Sequence, residues 1–169
     1  MPQLEHHFLE GTGPRCFLPF LVGDEIGFLR DAVRSGIPAS QQEKIRCWLA
    51  DALAAVAKYY GYDVGQGIKD LACERWGAPQ PAMPTRRDWE RDDEASRRKL
   101  TFILQASDSN EYVGGDLLIY ANFGSPLYAP RAIGTLIVFP SFMSFKTTPL
   151  ADGAKCIVTA RAYGNERLR

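Results

Sequence analysis

The sequence predicts an α+β domain in which amino-terminal helices pack against an antiparallel β-sandwich or barrel. Two patterns favour this fold class: apolar residues repeat at helical spacing before residue 61, and runs rich in β-branched and aromatic residues follow residue 99. The 169 residues fit one domain, and no internal repeat divides them. We therefore expect a single domain over 1–169, with a helical part at about 20–75 and a β core at about 85–165.

Two helices are predicted in the amino-terminal part. The first covers about 24–35, with Asp24 as its N-cap, and stops at Gly36. The second begins at the capping box Ser40-Gln-Gln-Glu43, whose hydroxyl and carboxylate would satisfy free backbone N–H groups, and ends near Gly61. Its apolar stripe repeats at three- and four-residue steps and comprises Ile45, Trp48, Leu49, Ala52, Leu53 and Val56.

The rest of the chain changes from loop to strand signals. Prolines and a glycine interrupt residues 77–84, and residues 85–99 are dense in charges of both signs, which predicts a solvated, loop-rich rim that includes Arg86. The predicted strands are rich in β-branched and aromatic residues and are separated by turn residues; they cover 99–107, 115–121, 133–140 and 155–163.

Composition narrows the class of partner. Hydrophobic residues make up 46% and charged residues 24%, which excludes a disordered or collagen-like chain. Twenty basic residues balance twenty acidic ones, so no overall field attracts phosphate backbones or anionic membranes. No apolar run approaches the roughly 18 residues of a membrane span, and Met1 to His7 lack the pattern of a secretory signal. We expect a cytoplasmic protein that binds neither nucleic acid nor membrane.

Cysteine and histidine usage limits the possible chemistry. The four cysteines are far apart in sequence and form no C-x-x-C pair, so reduced thiols are expected. The only two histidines, His6 and His7, are adjacent and close to the amino end, where a solvated tail is the usual reading. No histidine is available from the body of the domain.

Three strings in the second half carry a family resemblance. They are a D-x-x-x-Y-x-G-G-D-L turn at 108–117, a G-T-L-I-V-F-P-S strand at 134–141, and T-P-L-A-D-G-A-K at 148–155. In order and spacing they resemble the 2-oxoglutarate and Fe(II)-dependent oxygenase superfamily, in its prolyl-4-hydroxylase-like branch. The resemblance implies a double-stranded β-helix, the jelly-roll or cupin-like fold, with buttressing helices at the amino end.

The same resemblance implies a metal site that this sequence does not supply. The superfamily holds Fe(II) with two histidines and one carboxylate, and leaves positions open for 2-oxoglutarate and dioxygen. Phe145 stands at the distal histidine, and the nearest match to the H-x-D motif is Trp89-Glu90-Arg91-Asp92, with Glu90 in place of histidine. Lys155 matches the residue that binds 2-oxoglutarate, but lacks the guanidinium geometry. Conventional iron catalysis is not expected, and no cofactor is expected.

Strand alternation then predicts which side chains line the barrel. If Lys155 points inward, Ile157, Thr159 and Arg161 share its face, and Cys156 points away. The candidate lining from the opposing sheet consists of Thr101, Ile103 and Gln105, and Phe145 is a further candidate lining residue.

Two alternative functions of this cavity are compatible with the sequence. In one, it binds a small acidic molecule or performs redox-neutral acid–base chemistry, with Glu90 or Asp92 as the base and Lys155 and Arg161 stabilising negative charge. In the other, Phe145 plugs the barrel, the charges form a structural network, and the chain is a scaffold for a protein partner or a homodimer. An unconventional metal-dependent oxygenase, with His6 or His7 reaching the site, is a third alternative.

Overall fold

The computed structural model describes residues 13–17, 19–90, 94–121 and 125–167. These residues form two α-helices, nine β-strands and one short 3-10 helix. The elements, in chain order, are β1 Arg15–Phe17, α1 Asp24–Arg34, α2 Ala39–Tyr60, β2 Gly67–Gly77, the 3-10 helix Glu94–Arg97, β3 Arg98–Gln105, β4 Tyr112–Gly114, β5 Leu117–Tyr120, β6 Leu127–Tyr128, β7 Leu136–Pro140, β8 Ser144–Thr147 and β9 Leu150–Tyr163.

The strands form two antiparallel sheets, as the sequence predicts. The larger sheet has the order β1-β7-β3-β9-β2, and β4 pairs with the first residues of β9. The smaller sheet has the order β6-β5-β8. Long β9 therefore pairs with three other strands, and the architecture is an α+β double-stranded β-helix.

Two apolar clusters lie on the two faces of the larger sheet. The outer cluster joins the helices to side chains such as Phe102 and Val158. The inner cluster fills the space between the sheets and includes Ile103, Ile119 and Ile157. Neighbouring residues of β3 and of β9 thus enter opposite clusters, which confirms the predicted alternation.

The first helix has the predicted length but a different start. Asp24 is its first helical residue rather than its N-cap, which is Gly23 at φ 54°. The carboxylate of Glu25 instead accepts a hydrogen bond from the Val22 N–H at 3.2 Å. The left-handed conformation before the helix suits glycine, so the chain turns one residue earlier than the Asp24 prediction required.

The second helix also begins without its predicted capping box. Pro38 is the N-cap, the helix starts at Ala39, and no side-chain cap hydrogen bond forms, so Ser40 lies inside the first turn. Its carboxyl end agrees with the prediction, because Gly61 adopts the left-handed conformation at φ 67° and donates its N–H to the Ala57 carbonyl. No helix in the described residues is both long and apolar enough to cross a membrane.

The β core begins earlier than predicted. The helical part was expected to reach about residue 75, but Gly67–Gly77 form the 11-residue strand β2, which pairs with β9 along most of its length. β2 is an edge strand and is only partly buried, so its sequence lacks a clear apolar alternation. The larger sheet therefore includes a strand that precedes the predicted start of the β core at about residue 85.

The charged segment after β2 is more ordered than a solvated rim. Isolated antiparallel bridges join Gln80 to Leu150 and Arg86 to Phe145. The segment therefore crosses the end of the barrel in an extended conformation and brings its side chains to the inner face of the sheets. This path creates the site described below.

Candidate functional site

The backbone of Arg86 is fixed against β8. The Arg86 N–H donates to the Phe145 carbonyl at 2.8 Å, and the Phe145 N–H donates to the Arg86 carbonyl at 2.7 Å. Two residues later, the Asp88 N–H donates to the Ser141 carbonyl at 3.1 Å. Because alternate residues of an extended segment share a face, Arg86 and Asp88 both point toward the barrel.

Asp88 is the centre of a buried polar network. Its carboxylate accepts two hydrogen bonds from Arg161, at 2.9 Å from Nε and 3.2 Å from Nη2. The Thr101 hydroxyl donates to Oδ2 at 2.9 Å and lies 3.0 Å from the Ser141 hydroxyl. Asp88 is only 8% exposed. Its charge is therefore compensated by a bidentate guanidinium, the strongest geometry for such a pair.

A second ion pair extends the network toward the barrel mouth. Arg86 Nη2 lies 3.1 Å from Oε2 of Glu74, and the Thr159 hydroxyl donates to Oε1 of Glu74 at 3.2 Å. Arg161 Nη1 donates to the Thr159 hydroxyl at 3.1 Å and so connects this pair with Asp88. The two arginines balance the two carboxylates, and the network carries no net charge.

Phe145 fills the interior beside this network. Its side chain is 3% exposed and packs edge-to-face against Phe139, with ring centroids 5.3 Å apart. The Arg86 guanidinium carbon lies 5.0 Å from the Phe145 ring centroid. An apolar ring thus occupies the place at which the resemblance puts a metal-binding imidazole.

Lys155 is buried in a separate part of the same interior. Its ammonium donates to the Gly115 carbonyl at 2.5 Å and lies 5.3 Å from the Tyr112 ring centroid. Burial lowers the pKa of Lys155 to about 8, an effect that the Asp116 carboxylate opposes and the Arg131 guanidinium reinforces. The cavity that Lys155 shares with Gly115 holds about 10 Å³, which is room for one water molecule.

The predicted site residues are only partly brought together. Thr101, Thr159 and Arg161 meet in the Asp88 network. The prediction that Thr101 belongs to the opposing sheet is wrong, because β3 pairs directly with β9 in the same sheet. Lys155 shares their face of the sheet but has other partners. Gln105 donates to the Pro130 carbonyl at 3.1 Å, away from the network. The remaining predicted lining residues, Ile103, Phe145 and Ile157, pack in the inner cluster.

Glu90, one of the two predicted acidic residues, does not enter this network. Glu90 is exposed, and Asp92 lies outside the described residues, as do His6 and His7. The structure instead puts Asp88 next to Arg161. The three residues opposite Phe145 are therefore Arg86-Arg87-Asp88, which lie four residues before the predicted match at Glu90-Arg91-Asp92.

Sequence reasoning missed Asp88, Glu74 and the inward position of Arg86. Asp88 directly precedes Trp89, but the segment is dense in charges of both signs, and nothing local distinguishes Asp88 from Glu90 or Asp92. Glu74 had none, because the strand that carries it was itself not predicted. Both positions depend on long-range pairing rather than on local pattern.

The residues at this position do not fit a ferrous ion. A phenyl ring has no lone pair to donate, and a guanidinium is protonated and cannot act as a ligand. The remaining carboxylate, Asp88, already accepts two bonds from Arg161. Within the described ranges, no three His, Cys, Asp or Glu side chains group closely enough to hold a metal ion.

A larger cavity lies on the outer side of the sheet, beside α1. It has a volume of about 220 Å³. Its lining is rich in arginine and consists of Arg30, Val33, Arg34, Arg75, Ala106, Ser107, Glu111, Ala154, Lys155 and Cys156. Arg30 is paired with Glu111 at 3.2 Å, whereas Arg34 and Arg75 are exposed. We call this space the arginine cavity.

Solved structures with a similar fold include prolyl hydroxylases. A prolyl-4-hydroxylase from Pseudomonas putida matches with a TM-score of 0.66 at 17% identity, covering 92% of this chain and 94% of that one. A prolyl hydroxylase from Trichoplax adhaerens, solved with a hypoxia-inducible-factor peptide fragment, matches with a TM-score of 0.67 at 13% identity, covering 90% and 84%. A prolyl 4-hydroxylase from Phytophthora capsici matches with a TM-score of 0.59 at 16% identity, covering 91% and 59%.

These likenesses establish the fold. No protein-family model matches the chain, and no curated protein matches it. At such low identity, the chemistry has to be argued from the residues of this chain itself.

Proposed function

We propose that this chain is an iron-independent protein with the prolyl-hydroxylase fold, which acts by binding another molecule rather than by oxygenation. The observation that carries the proposal is the Asp88–Arg161 ion pair beside Phe145. The Arg161 guanidinium neutralises the Asp88 carboxylate, which a metal ion would otherwise neutralise. The Phe145 ring fills the position of the distal histidine ligand. The inherited site is then a structural core, and the outer surface is left for recognition.

The energetics of the ion pair support this proposal. Releasing Asp88 to a metal ion would leave Arg161, which is mostly buried, without its carboxylate. Removing one partner of a buried pair costs on the order of 3–5 kcal/mol. A ferrous ion held by a single remaining carboxylate cannot offset such a loss, because its usual affinity depends on two imidazoles as well.

Acid–base catalysis inside the barrel has less support. The proposed base Glu90 is exposed, and Asp92 lies outside the described residues. The Lys155 ammonium is bonded to Gly115, beside a space of about 10 Å³ that admits no organic substrate. Arg161 already neutralises Asp88 and is not available for a developing negative charge.

A second candidate function is the binding of a small acid, outside the barrel. The favouring observation is the arginine cavity of about 220 Å³, where the cationic side chains of Arg34 and Arg75 are exposed. The Ser107 hydroxyl accepts the Cys156 N–H at 2.7 Å and still has its own proton to donate. Cations and a hydroxyl donor suit a carboxylate or a phosphate.

The primary proposal is tested by anaerobic calorimetric titration with Fe(II) and 2-oxoglutarate. The wild-type chain should bind neither, and should form no succinate when oxygen is added. The triple variant Arg86→His, Phe145→His, Arg161→Gln should gain Fe(II) affinity, because it places two imidazoles beside a released Asp88. Phe142→His is the matched control, since Phe142 is exposed on the turn after β7. Tight iron binding by the wild type with coupled succinate formation would overturn the proposal.

The small-acid candidate has its own experiment. Succinate and inorganic phosphate serve as probes in equilibrium dialysis. Arg34→Ala with Arg75→Ala should weaken binding about tenfold or more, since two charge-assisted contacts are lost. Arg87→Ala, at an exposed arginine outside the cavity, should leave binding unchanged. Equal affinity in both variants, or no binding by the wild type, would remove this candidate.

A further inference from the structure

Two cysteines that are far apart in sequence meet on the outer face of the sheet. The Sγ atoms of Cys73 and Cys156 are 3.2 Å apart. Cys73 of β2 stands opposite Val158 of β9, and Cys156 precedes Val158 by two residues, so the cysteines form a diagonal pair on one face. Both are free thiols. The separation is that of a thiol–thiol hydrogen bond, and only a small movement separates it from a bond of about 2.05 Å.

The arginine cavity gives this pair access to solvent. Cys156 is part of the cavity lining, together with Arg75 on the neighbouring strand. Cys73 is half-buried and lies 3.9 Å from the Val33 carbonyl of α1. A small uncharged oxidant can therefore approach the pair, because Cys156 lines the cavity and Cys73 is only half-buried, and the nearby arginines favour a thiolate there.

The two thiols have different acidities. The hydrogen bond from Cys156 lowers the pKa of Cys73, with help from Arg75, against the opposing effects of burial and Glu74. The same contact, together with burial, raises the pKa of Cys156. Once one proton has left, the two sulfurs share the other, so the pair loses its first proton easily and its second with difficulty. Cys73 is also the less buried of the two, which makes it the nucleophile, and Cys156 keeps the proton.

We propose that Cys73 and Cys156 form a peroxide-reactive dithiol, a modification site that closes to a disulfide between β2 and β9. It rests on the cross-strand sulfur contact and on its exposure through the arginine cavity. The proposal is independent of the function of the barrel, because the pair lies in the outer cluster on the opposite face of the sheet.

The chemistry needs one peroxide and consumes both thiols. The Cys73 thiolate attacks one oxygen of hydrogen peroxide, the O–O bond breaks, and the leaving hydroxide takes up a proton to become water. The resulting sulfenic acid is attacked by the Cys156 sulfur, which forms the S–S bond and displaces the hydroxyl as a second water with the Cys156 proton. Two thiols lose two electrons, and the peroxide is reduced to two waters.

The chain provides its own internal controls. Cys47 is exposed on α2 and has no cysteine partner nearby among the described residues. Cys16 is buried, and burial raises the pKa of its thiol to about 12. If exposure alone decided reactivity, Cys47 would be oxidised first. The proposal predicts that Cys73 is oxidised first.

The test treats the native wild-type protein with hydrogen peroxide, blocks the remaining thiols after denaturation, and maps peptides by mass spectrometry. We expect a Cys73–Cys156 linked peptide and a loss of the Cys73 thiol about tenfold faster than that of Cys47, reflecting its larger thiolate fraction. In Cys156→Ser, whose hydroxyl keeps the hydrogen bond but cannot close the disulfide, dimedone should capture a sulfenic acid at Cys73.

The outcome is decisive in either direction. Oxidation of Cys47 with Cys73 and Cys156 left reduced would overturn the proposal, as would disulfides formed only between chains. The main measurement uses the unmodified chain and does not depend on how the variant folds. It also involves no iron or keto acid, so its result is separate from that of the barrel titration.

Discussion

Arg161 and Asp88 form a two-point ion pair that joins the last strand to the segment crossing the barrel mouth, with contacts of 2.9 Å and 3.2 Å. The two residues are 73 positions apart in sequence. Thr101 on β3 donates to the same carboxylate, so three parts of the chain meet at one group. The pair therefore fixes the positions of β3, β9 and this segment relative to one another, and it leaves neither buried charge uncompensated.

Removing the cation of this pair should destabilise the protein strongly. Arg161→Leu would leave the Asp88 carboxylate buried without its partner, and we expect the free energy of unfolding to fall by about 3–5 kcal/mol. The measurement is urea denaturation followed by tryptophan fluorescence at neutral pH. Arg34→Ala is the control, because its pair with Asp31 is highly exposed and should change stability by less than about 1 kcal/mol. Equal losses in the two variants would contradict the structural role of the Asp88–Arg161 pair.

Phe145 should behave as a core residue. Phe145→Ala would leave a cavity among the inner apolar residues, and the expected loss in unfolding free energy is about 3–5 kcal/mol. Phe142→Ala, on an exposed side chain only three residues away, should cost less than about 1 kcal/mol. Thermal and urea unfolding of the two variants measures the difference. A mild effect at Phe145 would mean that the barrel is not plugged.

Lys155 should make stability depend on pH in the alkaline range. Its pKa is lowered from 10.5 to about 8 in the folded chain. Below pH 8 Lys155 is protonated in both the folded and the unfolded protein, so the free-energy cost of burying its ammonium is fully present. Between about pH 8 and 10.5 the unfolded state binds more protons, so Lys155 contributes stability that rises with pH, by up to about 3 kcal/mol.

The Lys155 prediction is checked by comparison with Lys155→Met. Urea midpoints from pH 7 to 10 should show a wild-type contribution that increases with pH and disappears in the variant. Taking the difference removes the titration of tyrosines and of Cys73, which occurs in both proteins. Parallel curves for the two proteins would show that the ammonium is not buried at a cost.

Two glycines should respond oppositely to alanine. Gly153 has a φ of 75°, and an added Cβ would meet the Glu111 backbone carbonyl, so Gly153→Ala should destabilise by well over about 1 kcal/mol. Gly27 lies inside α1 with open space around it, and Gly27→Ala should stabilise by about 0.5–1 kcal/mol. Thermal midpoints of the two variants should therefore move in opposite directions. A stable Gly153→Ala protein would contradict the close approach of Glu111 to that turn.

The faces of the core strands could be read from the sequence. Period-two alternation placed Ile103 and Ile157 in the interior and Cys156 on the other face, and the pattern is strong because both faces of these central strands are covered. The apolar stripe of α2 was equally clear, since only one side of that helix is buried. Local periodicity was therefore sufficient to predict the buried face of these elements.

The site itself depended on features without a local signal. β2 is an edge strand that is only partly buried, and charged residues occur on both of its faces, so its sequence has no clear strand pattern. The segment around Asp88 has no periodicity, and its register is set by the backbone bridge between Arg86 and Phe145. The carboxylate that the structure shows beside Arg161 is Asp88, four residues before the predicted Asp92, which lies outside the described residues. The register of this segment is determined by tertiary strand pairing and not by its local sequence.

β9 has a consequence for how the chain reaches its native state. It is the shared partner of β2, β3 and β4, and all three precede it in sequence. Until these late residues arrive, β2 and β4 have no other strand partner among the described elements, and their backbone groups stay hydrated. We therefore expect assembly to be slow and strongly cooperative, because three of the five strand pairings of the larger sheet are completed by this single late strand.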